Sequence, residues 1–351
     1  MLTRILYALL IFVPLALLGE FVLHLDATLL FLFSALAIVP LAKIIGDATE
    51  ELAIYTGPRL GGLLNATLGN AAELIITIFA IREGLLDLVR ASITGSILGN
   101  LLFVLGLSLV IGGLKNGVQT FDRRNAAMNG ILLVLAVVAL LVPSLFDVAV
   151  QQDRARELGL SEGVAVIMIV LYGLSIFYSF RNGGGVGHPG EEHHEPKWSW
   201  KVAVGILAAA TIGIVLMSEV LVGAVDAATA SLGLTEFFVG IIIIPLVGNI
   251  AEHLVAVQVA YKNKMELSLA ISLGSSLQIA LFVAPVLVFA SVLMGGEVLL
   301  LVFNNFELIA LVAAALIAAL IAQDGESNWF EGAMLIAVYF IVALAFFFIP
   351  A

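Results

Sequence analysis

Two glutamates lie inside long apolar stretches of this chain, each in nearly the same short sequence. Glu73 belongs to GNAAELI (residues 69–75) and Glu252 belongs to GNIAEHL (residues 248–254). A carboxylate at the centre of a lipid bilayer costs at least ~2.5 kcal/mol and usually marks a path for ions or protons. Two carboxylates in matching sequences therefore predict a site that binds a cation, a proton or both.

The match continues on either side at a constant offset of 179 residues. Apolar matches mean little in so hydrophobic a chain, but polar and glycine matches are informative. Besides the two glutamates, the offset pairs Gly61 with Gly240, Gly69 with Gly248, Asn70 with Asn249, Gly95 with Gly274 and Ser96 with Ser275. This internal repeat predicts two similar halves.

Four helices are predicted to carry a stripe of oxygen-bearing side chains, because residues three or four apart share a helix face. The stripes are Asn70 with Glu73, Ser96 with Asn100, Asn249 with Glu252, and Ser275 with Gln278. Glycine at Gly69 and Gly248 would let an ion or another helix approach the backbone carbonyls. Converging stripes would form a site for a hard cation, although Asn, Ser and Gln also join membrane helices by hydrogen bonds.

Protons and a divalent cation are expected to compete at such a site. Desolvation and mutual repulsion favour the protonated form of paired carboxylates, whereas a bound divalent cation favours the ionised form. Ca²⁺ accepts about six to eight oxygens in flexible geometry, and Mg²⁺ gives up its water reluctantly. The predicted ion is therefore Ca²⁺, with Mn²⁺ as a further candidate.

Composition indicates that membrane helices must position these residues. The 351 residues are 62% hydrophobic and 12% charged, whereas a soluble domain is about 25% charged. The chain has no cysteine, which excludes disulfides, thiolate metal ligands and cysteine nucleophiles. A net charge of −11 argues against nucleic acid as a partner. Nothing resembles a phosphate-binding loop or a catalytic nucleophile, so we predict neither an enzyme nor a cofactor.

Taking ~20 apolar residues as one span, we predict an all-α polytopic membrane protein with about eleven transmembrane helices. The predicted spans are 4–23, 27–54, 61–82, 86–113, 125–147, 161–180, 201–223, 236–261, 267–294, 303–322 and 329–349. The first could be read as a signal peptide, but no small-x-small cleavage pattern follows it, so we expect a retained helix.

The domain organisation follows from the repeat. Residues 1–25 form an additional N-terminal helix, 26–180 the first five-helix repeat, 181–200 a linker, and 201–351 the second five-helix repeat. Because five is odd, the two repeats cross the membrane in opposite senses. Inverted repeats of this kind place the substrate near the midplane of the membrane, often where helices are interrupted by glycine.

Basic residues predict the orientation by the positive-inside rule. With the N-terminus in the cytoplasm and the C-terminus outside, the inner side collects Arg4, Arg59, Lys115, Arg123, Arg124, Arg181, Lys197, Lys201, Lys262 and Lys264. The outer side collects only Arg82, Arg90, Arg154 and Arg156, and Lys43 lies within a span. We expect a multi-pass protein of the cell membrane if the source is prokaryotic. The sequence is compatible with a homo-oligomer.

The linker between the repeats is predicted to be cytoplasmic and flexible. Its charged and imidazole side chains are His188, Glu191, Glu192, His193, His194 and Glu195. A solvated charged loop accounts for them, and weak metal binding by a regulatory sensor is the alternative.

Four segments resemble the signature sequences of the Ca²⁺/H⁺ antiporter family, within the calcium/cation antiporter superfamily. They are GGLLNATLGNAAELI (61–75), GSILGNLLFVLG (95–106), GNIAEHL (248–254) and GSSLQIALFVAP (274–285). The resemblance covers nearly the whole chain. It implies eleven helices, an inverted pair of five-helix repeats, and calcium extrusion driven by inward protons.

The resemblance also implies roles for residues at matching positions. Glu73 and Glu252 would be the calcium-binding carboxylates, and the glycines Gly69 and Gly248 would offer backbone carbonyls. The residues implied to line the site are Asn70, Asn249, Ser96, Ser275, Asn100 and Gln278. Family members often carry an acidic helix between the halves, where this chain has only GEEHHEP (190–196).

Three more residues are weaker candidates. Glu50 and Glu219, on the second and seventh helices, could guide ions to a cytoplasmic entrance or relay protons, but solvent-facing helix ends would also account for them. His253, beside Glu252, could respond to pH or pack as an ordinary buried histidine.

Alternating access is the expected mechanism, with Ca²⁺ as the substrate and H⁺ as the coupling ion. A Na⁺/Ca²⁺ exchanger would share the fold, but its sodium sites need further ligands, often another acid, where this chain has Asn100 and Gln278. A passive cation channel would also explain buried carboxylates, but it has little reason to keep one inverted pair.

Overall fold

The computed structural model of this chain describes residues 6–147, 153–182 and 196–349. Within these ranges the chain is almost wholly helical, with one pair of two-residue strands, β1 (Gln119–Thr120) and β2 (Glu326–Ser327). We label the helices α1 (Leu6–Leu23), α2 (Ala27–Leu68), α3 (Ala71–Arg82), α4 (Leu86–Asn116), α5 (Arg123–Asp147), α6 (Arg154–Asn182), α7 (Trp200–Gly223), α8 (Val225–Leu232), α9 (Glu236–Gly248), α10 (Ile250–Tyr261), α11 (Met265–Met294), α12 (Asn305–Asp324) and α13 (Trp329–Phe347).

Helices are the expected outcome for such apolar segments, because a helix satisfies its backbone hydrogen bonds internally where no water is available. In the part of the chain that the structure describes, nine helices are long and apolar enough to cross a membrane, and α8 with α9 would make a tenth span bent by 108°. The prediction of an all-helical membrane protein is confirmed. The count of eleven spans and the inverted repeat stay predictions.

Two predicted spans are broken helices. The span predicted at 61–82 divides between the end of α2 at Leu68 and the start of α3, and the span predicted at 236–261 divides between α9 and α10. The breaks lie at Asn70 (φ −95°, ψ 16°) and Asn249 (φ −103°, ψ 8°). Each predicted span is therefore interrupted within its GN segment, and the two breaks are related by the offset of 179 residues.

Two other irregularities also follow this offset. A π-helical segment interrupts α4 at Gly99–Val104, and another interrupts α11 at Ile279–Val283. Such segments widen a helix locally and are frequent at functional sites. The backbone of α2 leaves the helical region at Gly57 (φ 80°), and the equivalent position, Glu236, begins α9. Three irregularities thus recur at matching positions in the two halves of the sequence, whereas the π-helical segment Val239–Ile243 of α9 has no counterpart in α2.

The described residues pack as two compact units. The first takes in 1–92, 192–251 and 346–351, and therefore contains α1 to α3, the start of α4, and α7 to α9. Its centre is the packing of α2 against α7, where a Cβ added to Gly213 would lie 2.9 Å from the Leu41 side chain. A Cβ added to Gly240 on α9 would lie 2.8 Å from the carbonyl oxygen of Leu88 on α4. Glycine here permits the close helix packing that is typical of membrane proteins.

The second unit takes in 93–191 and 252–345, and therefore contains the rest of α4, α5, α6 and α10 to α13. Close packing again depends on glycine: a Cβ added to Gly106 on α4 would lie 3.0 Å from the carbonyl oxygen of Gly332 on α13. The strands β1 and β2 pair antiparallel and join the loop after α4 to the loop after α12.

An extended loop before α12 completes the second unit. Its side chains Leu299, Leu301 and Phe303 are buried. Serine hydroxyls of three helices accept hydrogen bonds from the amides of the same residues, at 2.8 Å for Ser291, 3.2 Å for Ser161 and 2.9 Å for Ser144. These side-chain oxygens therefore accept the backbone hydrogen bonds that a neighbouring strand would accept in a sheet.

Candidate functional site

The first unit holds Glu73 and the two asparagine breaks. Glu73 lies in the first turn of α3 and is fully buried, and its backbone carbonyl accepts a hydrogen bond of 2.8 Å from Thr77 Oγ1. Asn70 and Asn249 are buried at the two breaks. A Cβ added to Gly248 would lie 3.6 Å from Cβ of Glu73, so the end of α9 contacts the start of α3. Four predicted site residues, Glu73, Asn70, Gly248 and Asn249, are thus brought together within this unit, with Gly69 directly before Asn70.

Both candidate carboxylates occupy the same position relative to a helix. Glu73 is in the first turn of α3 and Glu252 is in the first turn of α10. The N-terminus of a helix carries partial positive charge, which stabilises a nearby anion by about 0.3–1 kcal/mol at exposed sites and by more where it is buried. Broken membrane helices use such termini to bind ions and charged substrates. The helix breaks therefore offset part of the cost of burying the carboxylates.

The second unit holds Glu252 in a chain of polar contacts. Asn100 Nδ2 donates a hydrogen bond of 3.0 Å to Ser275 Oγ, and the Ser275 side chain is hydrogen-bonded to Glu252. Asn100 and Ser275 are both buried. The second carboxylate oxygen of Glu252, Oε2, is also buried, and in the described ranges no hydrogen-bond donor reaches it. The contacts link this carboxylate directly to α11 and, through Ser275, to α4.

The remaining predicted lining residues belong to the same two helices. Ser96 is buried one turn before Asn100 on α4, and Gln278 is half-buried at the end of the α-helical part of α11. Gln278 lies directly before the π-helical segment of α11, and Ser96 lies three residues before that of α4.

The weaker candidates lie in different environments. Glu50 on α2 and Glu219 on α7 are exposed. His253 is buried, and among the described residues neither of its ring nitrogens has a hydrogen-bond partner. The acidic and imidazole residues of the linker, predicted to be a solvated loop or a weak metal site, all lie outside the described residues. Of the predicted linker 181–200, the structure describes only 181–182 and 196–200.

Two buried carboxylates were missed by sequence reasoning. Glu51, beside Glu50, accepts hydrogen bonds from the backbone amides of Lys197 (2.8 Å) and Trp198 (3.2 Å), and so attaches the chain before α7 to α2. Glu307 at the start of α12 accepts a hydrogen bond of 2.9 Å from Thr94 Oγ1 on α4. The sequence contained a signal for Glu307, since it is the fourth residue of a capping box that starts at Asn304.

Side chains able to bind a metal by acidic or imidazole groups alone are not clustered in the described part of the chain. No three His, Asp or Glu residues converge there. A cation bound by these residues would therefore combine carboxylates with amide, hydroxyl or carbonyl oxygens, which is the type of ligand set that Ca²⁺ accepts.

The fold is that of an all-helical membrane protein with broken helices. The chain matches the family model of the sodium/calcium exchanger protein over residues 27–181 and 202–348, and it belongs to this family. It is a multi-pass membrane protein.

Particular relatives are similar along nearly their whole length. A Ca²⁺/H⁺ antiporter of Aphanothece halophytica is 45% identical, covering 99% of this chain and 97% of the relative. The Ca²⁺/H⁺ antiporter ChaA of Bacillus subtilis is 47% identical, and the match covers 95% of this chain and 96% of the relative. The solved structure of native YfkE is 43% identical, covers 99% of this chain and 100% of that chain, and superposes with a TM-score of 0.86.

Proposed function

We propose that this protein is a secondary active transporter that exchanges Ca²⁺ for H⁺ across the membrane. The support is the high identity to relatives described as Ca²⁺/H⁺ antiporters, which extends over nearly the whole of each chain. The single structural observation that carries the proposal is the repeated break at Asn70 and Asn249, which starts a new helix just before each of the two glutamates.

We further propose that Glu73 and Glu252 bind the same Ca²⁺ near the midplane of the membrane. Their equivalence in the repeat supports this, because an ion between two related halves would receive the same ligands from each. Gly69, Asn70, Gly248 and Asn249 would contribute backbone or amide oxygens beside the carboxylates. The other proposed ligands are Ser96, Asn100, Ser275 and Gln278.

Competition between the two ions would couple their movements. A divalent cation needs both carboxylates ionised, whereas burial and mutual repulsion favour protonation once the cation leaves. A site that opens alternately to each side of the membrane would then carry Ca²⁺ one way and protons the other. Because an empty, doubly charged site is costly to bury, the protein would change conformation mainly when one of the two ions is bound.

Flux measurements in proteoliposomes test the proposal. The purified protein is reconstituted, and uptake of ⁴⁵Ca²⁺ is followed under an imposed pH gradient, an imposed sodium gradient, or neither. We expect uptake only with the pH gradient, and a drop of at least about 100-fold for Glu73→Gln and for Glu252→Gln, since each loses an ionised ligand of a buried divalent cation. Uptake that followed the sodium gradient would instead assign Na⁺/Ca²⁺ exchange.

Two further outcomes would contradict the proposal. Uptake that needed neither gradient and rose with voltage would indicate a passive channel. Normal transport by Glu73→Gln would exclude this residue from the ion site while leaving the exchange activity in place. Glu83→Gln is the matched control, because Glu83 is an exposed glutamate directly after α3, and we expect this variant to retain most of its uptake.

A further inference from the structure

An apolar groove lies on the surface of the second unit between α5 and α12. It has a volume of about 210 Å³ and is lined by Ile131, Val134, Leu316, Ala319, Leu320 and Gln323. An apolar cavity of ~150 Å³ is large enough to hold a benzene molecule. The groove therefore has room for several methylene groups of a hydrocarbon chain.

The floor of the groove is formed where the two helices approach each other closely. A Cβ added to Gly130 on α5 would lie 3.1 Å from Cα of Ala319 on α12, so the floor consists of small residues. Larger side chains stand on the rims, where Ile131 is 59% exposed and Leu320 is 64% exposed. Because both helices are long enough to span the membrane, these exposed apolar rims face lipid rather than water.

One end of the groove carries two exposed arginines together with two exposed aspartates, Asp122 and Asp324. The carboxylate of Asp122 accepts hydrogen bonds from the backbone amides of Arg124 (2.8 Å) and Asn125 (3.0 Å) and so caps α5. Arg123 and Arg124 are exposed at the start of α5. A Cβ added to Gly325, two residues after Gln323, would lie 3.2 Å from Cβ of Arg123. The arginines therefore lie next to the end of the groove that Gln323 lines.

These two arginines are available to an anion. In the described ranges neither forms an ion pair, whereas Arg156 at the start of α6 pairs with Asp153 at 3.1 Å. Arg124 and Ile131 are seven residues apart, so they share a helix face about 10 Å apart along the axis. This is the spacing needed between a charged headgroup at the membrane surface and a hydrocarbon chain within the membrane.

We propose that this groove is a binding site for an anionic phospholipid, with the phosphate held by Arg123 and Arg124 and an acyl chain lying between α5 and α12. Gln323 would donate a hydrogen bond at the level of the headgroup. In the proposed orientation, with the N-terminus inside, the site faces the inner leaflet, where basic pockets between membrane helices bind anionic headgroups. The site lies within the second unit and does not depend on the identity of the transported ions.

Native mass spectrometry of the full-length protein tests the proposal. Dioleoyl phosphatidylglycerol and dioleoyl phosphatidylcholine are titrated separately, because they differ in headgroup charge and share their acyl chains. We expect preferential binding of one phosphatidylglycerol, weakened about fivefold for each arginine removed in Arg123→Gln and Arg124→Gln. Leu316→Trp should also weaken binding, because it fills the groove from an exposed position. Gln323→Glu should weaken it by charge repulsion.

Matched controls separate this site from general lipid contact. Arg154→Gln with Arg156→Gln removes two exposed arginines at the start of another membrane helix, and Ile167→Trp adds the same bulk at an exposed apolar position of α6. Neither control should change the affinity. Equal losses in the two arginine pairs would overturn the proposal in favour of non-specific attraction. Unchanged lipid binding by Leu316→Trp would show that the lipid does not bind in the groove. If the wild type were a dimer and Leu316→Trp dissociated it, the groove would instead be the binding surface for a second copy of the chain.

Discussion

Ser275 is the side chain through which two helices reach the carboxylate of Glu252. It accepts a hydrogen bond from Asn100 Nδ2 and is itself hydrogen-bonded to the glutamate. Removing a residue that orients a metal ligand usually costs about 10- to 100-fold in metal affinity. We therefore expect Ser275→Ala to raise the KM for Ca²⁺ uptake about tenfold or more, measured with ⁴⁵Ca²⁺ in proteoliposomes under a fixed pH gradient.

Ser276 is the matched control for this substitution. It is also buried on α11, but its hydroxyl donates to the carbonyl of Ser272 on its own helix, at 2.9 Å. Ser276→Ala should leave the KM within about twofold of the wild type, because only a local bond within the helix is lost. Equal effects of the two substitutions would mean that Ser275 acts by packing alone.

Glu307 is expected to contribute more to stability than to transport. It caps α12 through Asn304 and also accepts a hydrogen bond from Thr94 on α4. Glu307→Ala leaves the buried Thr94 hydroxyl without this acceptor, so we expect a loss of about 1–3 kcal/mol in the free energy of unfolding. The measurement is unfolding in mixed detergent micelles with increasing dodecyl sulfate.

Glu331 provides the comparison for Glu307. It forms a similar cap at the start of α13, in which Glu331 Oε2 accepts from the Asn328 amide (3.1 Å) and the Glu331 amide donates to Asn328 Oδ1 (3.2 Å). Glu331→Ala loses the cap alone and should therefore destabilise less. If both variants lost the same free energy, the bond between Thr94 and Glu307 would contribute nothing measurable.

Individual residues differ in how far the sequence could identify them. Glu73 was predicted because its burial in an apolar segment and its repeat partner are both written in the sequence. Glu51 was not, because Glu50 and Glu51 share the same polar stretch and only the direction of each side chain on α2 distinguishes them. In the structure Glu51 is buried and Glu50 is exposed.

Among the helices, α9 and the start of α4 depend most strongly on a single glycine. A Cβ at Gly240 would lie 2.8 Å from the Leu88 carbonyl oxygen and 2.9 Å from the Ala91 side chain, so the helices would have to separate. We expect Gly240→Ala to lower the free energy of unfolding by about 1–3 kcal/mol, as overpacked substitutions do. Unfolding in dodecyl sulfate again provides the measurement.

Gly205 on α7 is the matched control for Gly240→Ala, because it is a helix glycine without a close neighbour. In the described part of the chain nothing lies within 4 Å of a Cβ added there. Gly205→Ala should be neutral or stabilising by up to about 1 kcal/mol, because alanine favours the helix. A Gly240→Ala variant as stable as Gly205→Ala would contradict the close packing.

The helix breaks mark the limit of prediction at the scale of elements. The apolar pattern identified both segments as membrane helices, but it did not show at which residue each helix stops and starts again. Glycine alone does not reveal a break, since Gly274 lies within the regular part of α11 and Gly99 begins a π-helical segment. The breaks at Asn70 and Asn249 depend on contacts with other helices, such as the approach of Gly248 to Glu73.

The orientation of the whole molecule can be tested because the chain has no cysteine. With the N-terminus inside, Lys262 lies on the cytoplasmic side and Arg154 lies outside, and both are exposed. We expect a membrane-impermeant maleimide added to intact cells to label Arg154→Cys and not Lys262→Cys, with both labelled after the cells are opened. The reverse pattern would place the N-terminus outside.

At the scale of the whole chain, composition was enough to predict an all-helical membrane protein, because so high a hydrophobic fraction is typical of membrane helices and rare in soluble domains. The number of spans is harder to predict. The helices α3 and α10 have 12 residues each, too few for the ~20 that one span requires. Counting by length alone therefore leaves both of these helices out of the number of spans.

The loop before α12 has a consequence for the exchange of backbone hydrogens with solvent. The amides of Leu299, Leu301 and Phe303 lie outside any helix or strand, yet each donates to a serine on a different helix. Releasing one of them requires displacement from α11, α6 or α5, not a local rearrangement of the loop. Exposing these amides to solvent therefore requires a free energy close to that of unfolding the unit as a whole. We expect the loop to exchange its amide hydrogens as slowly as the helices around it.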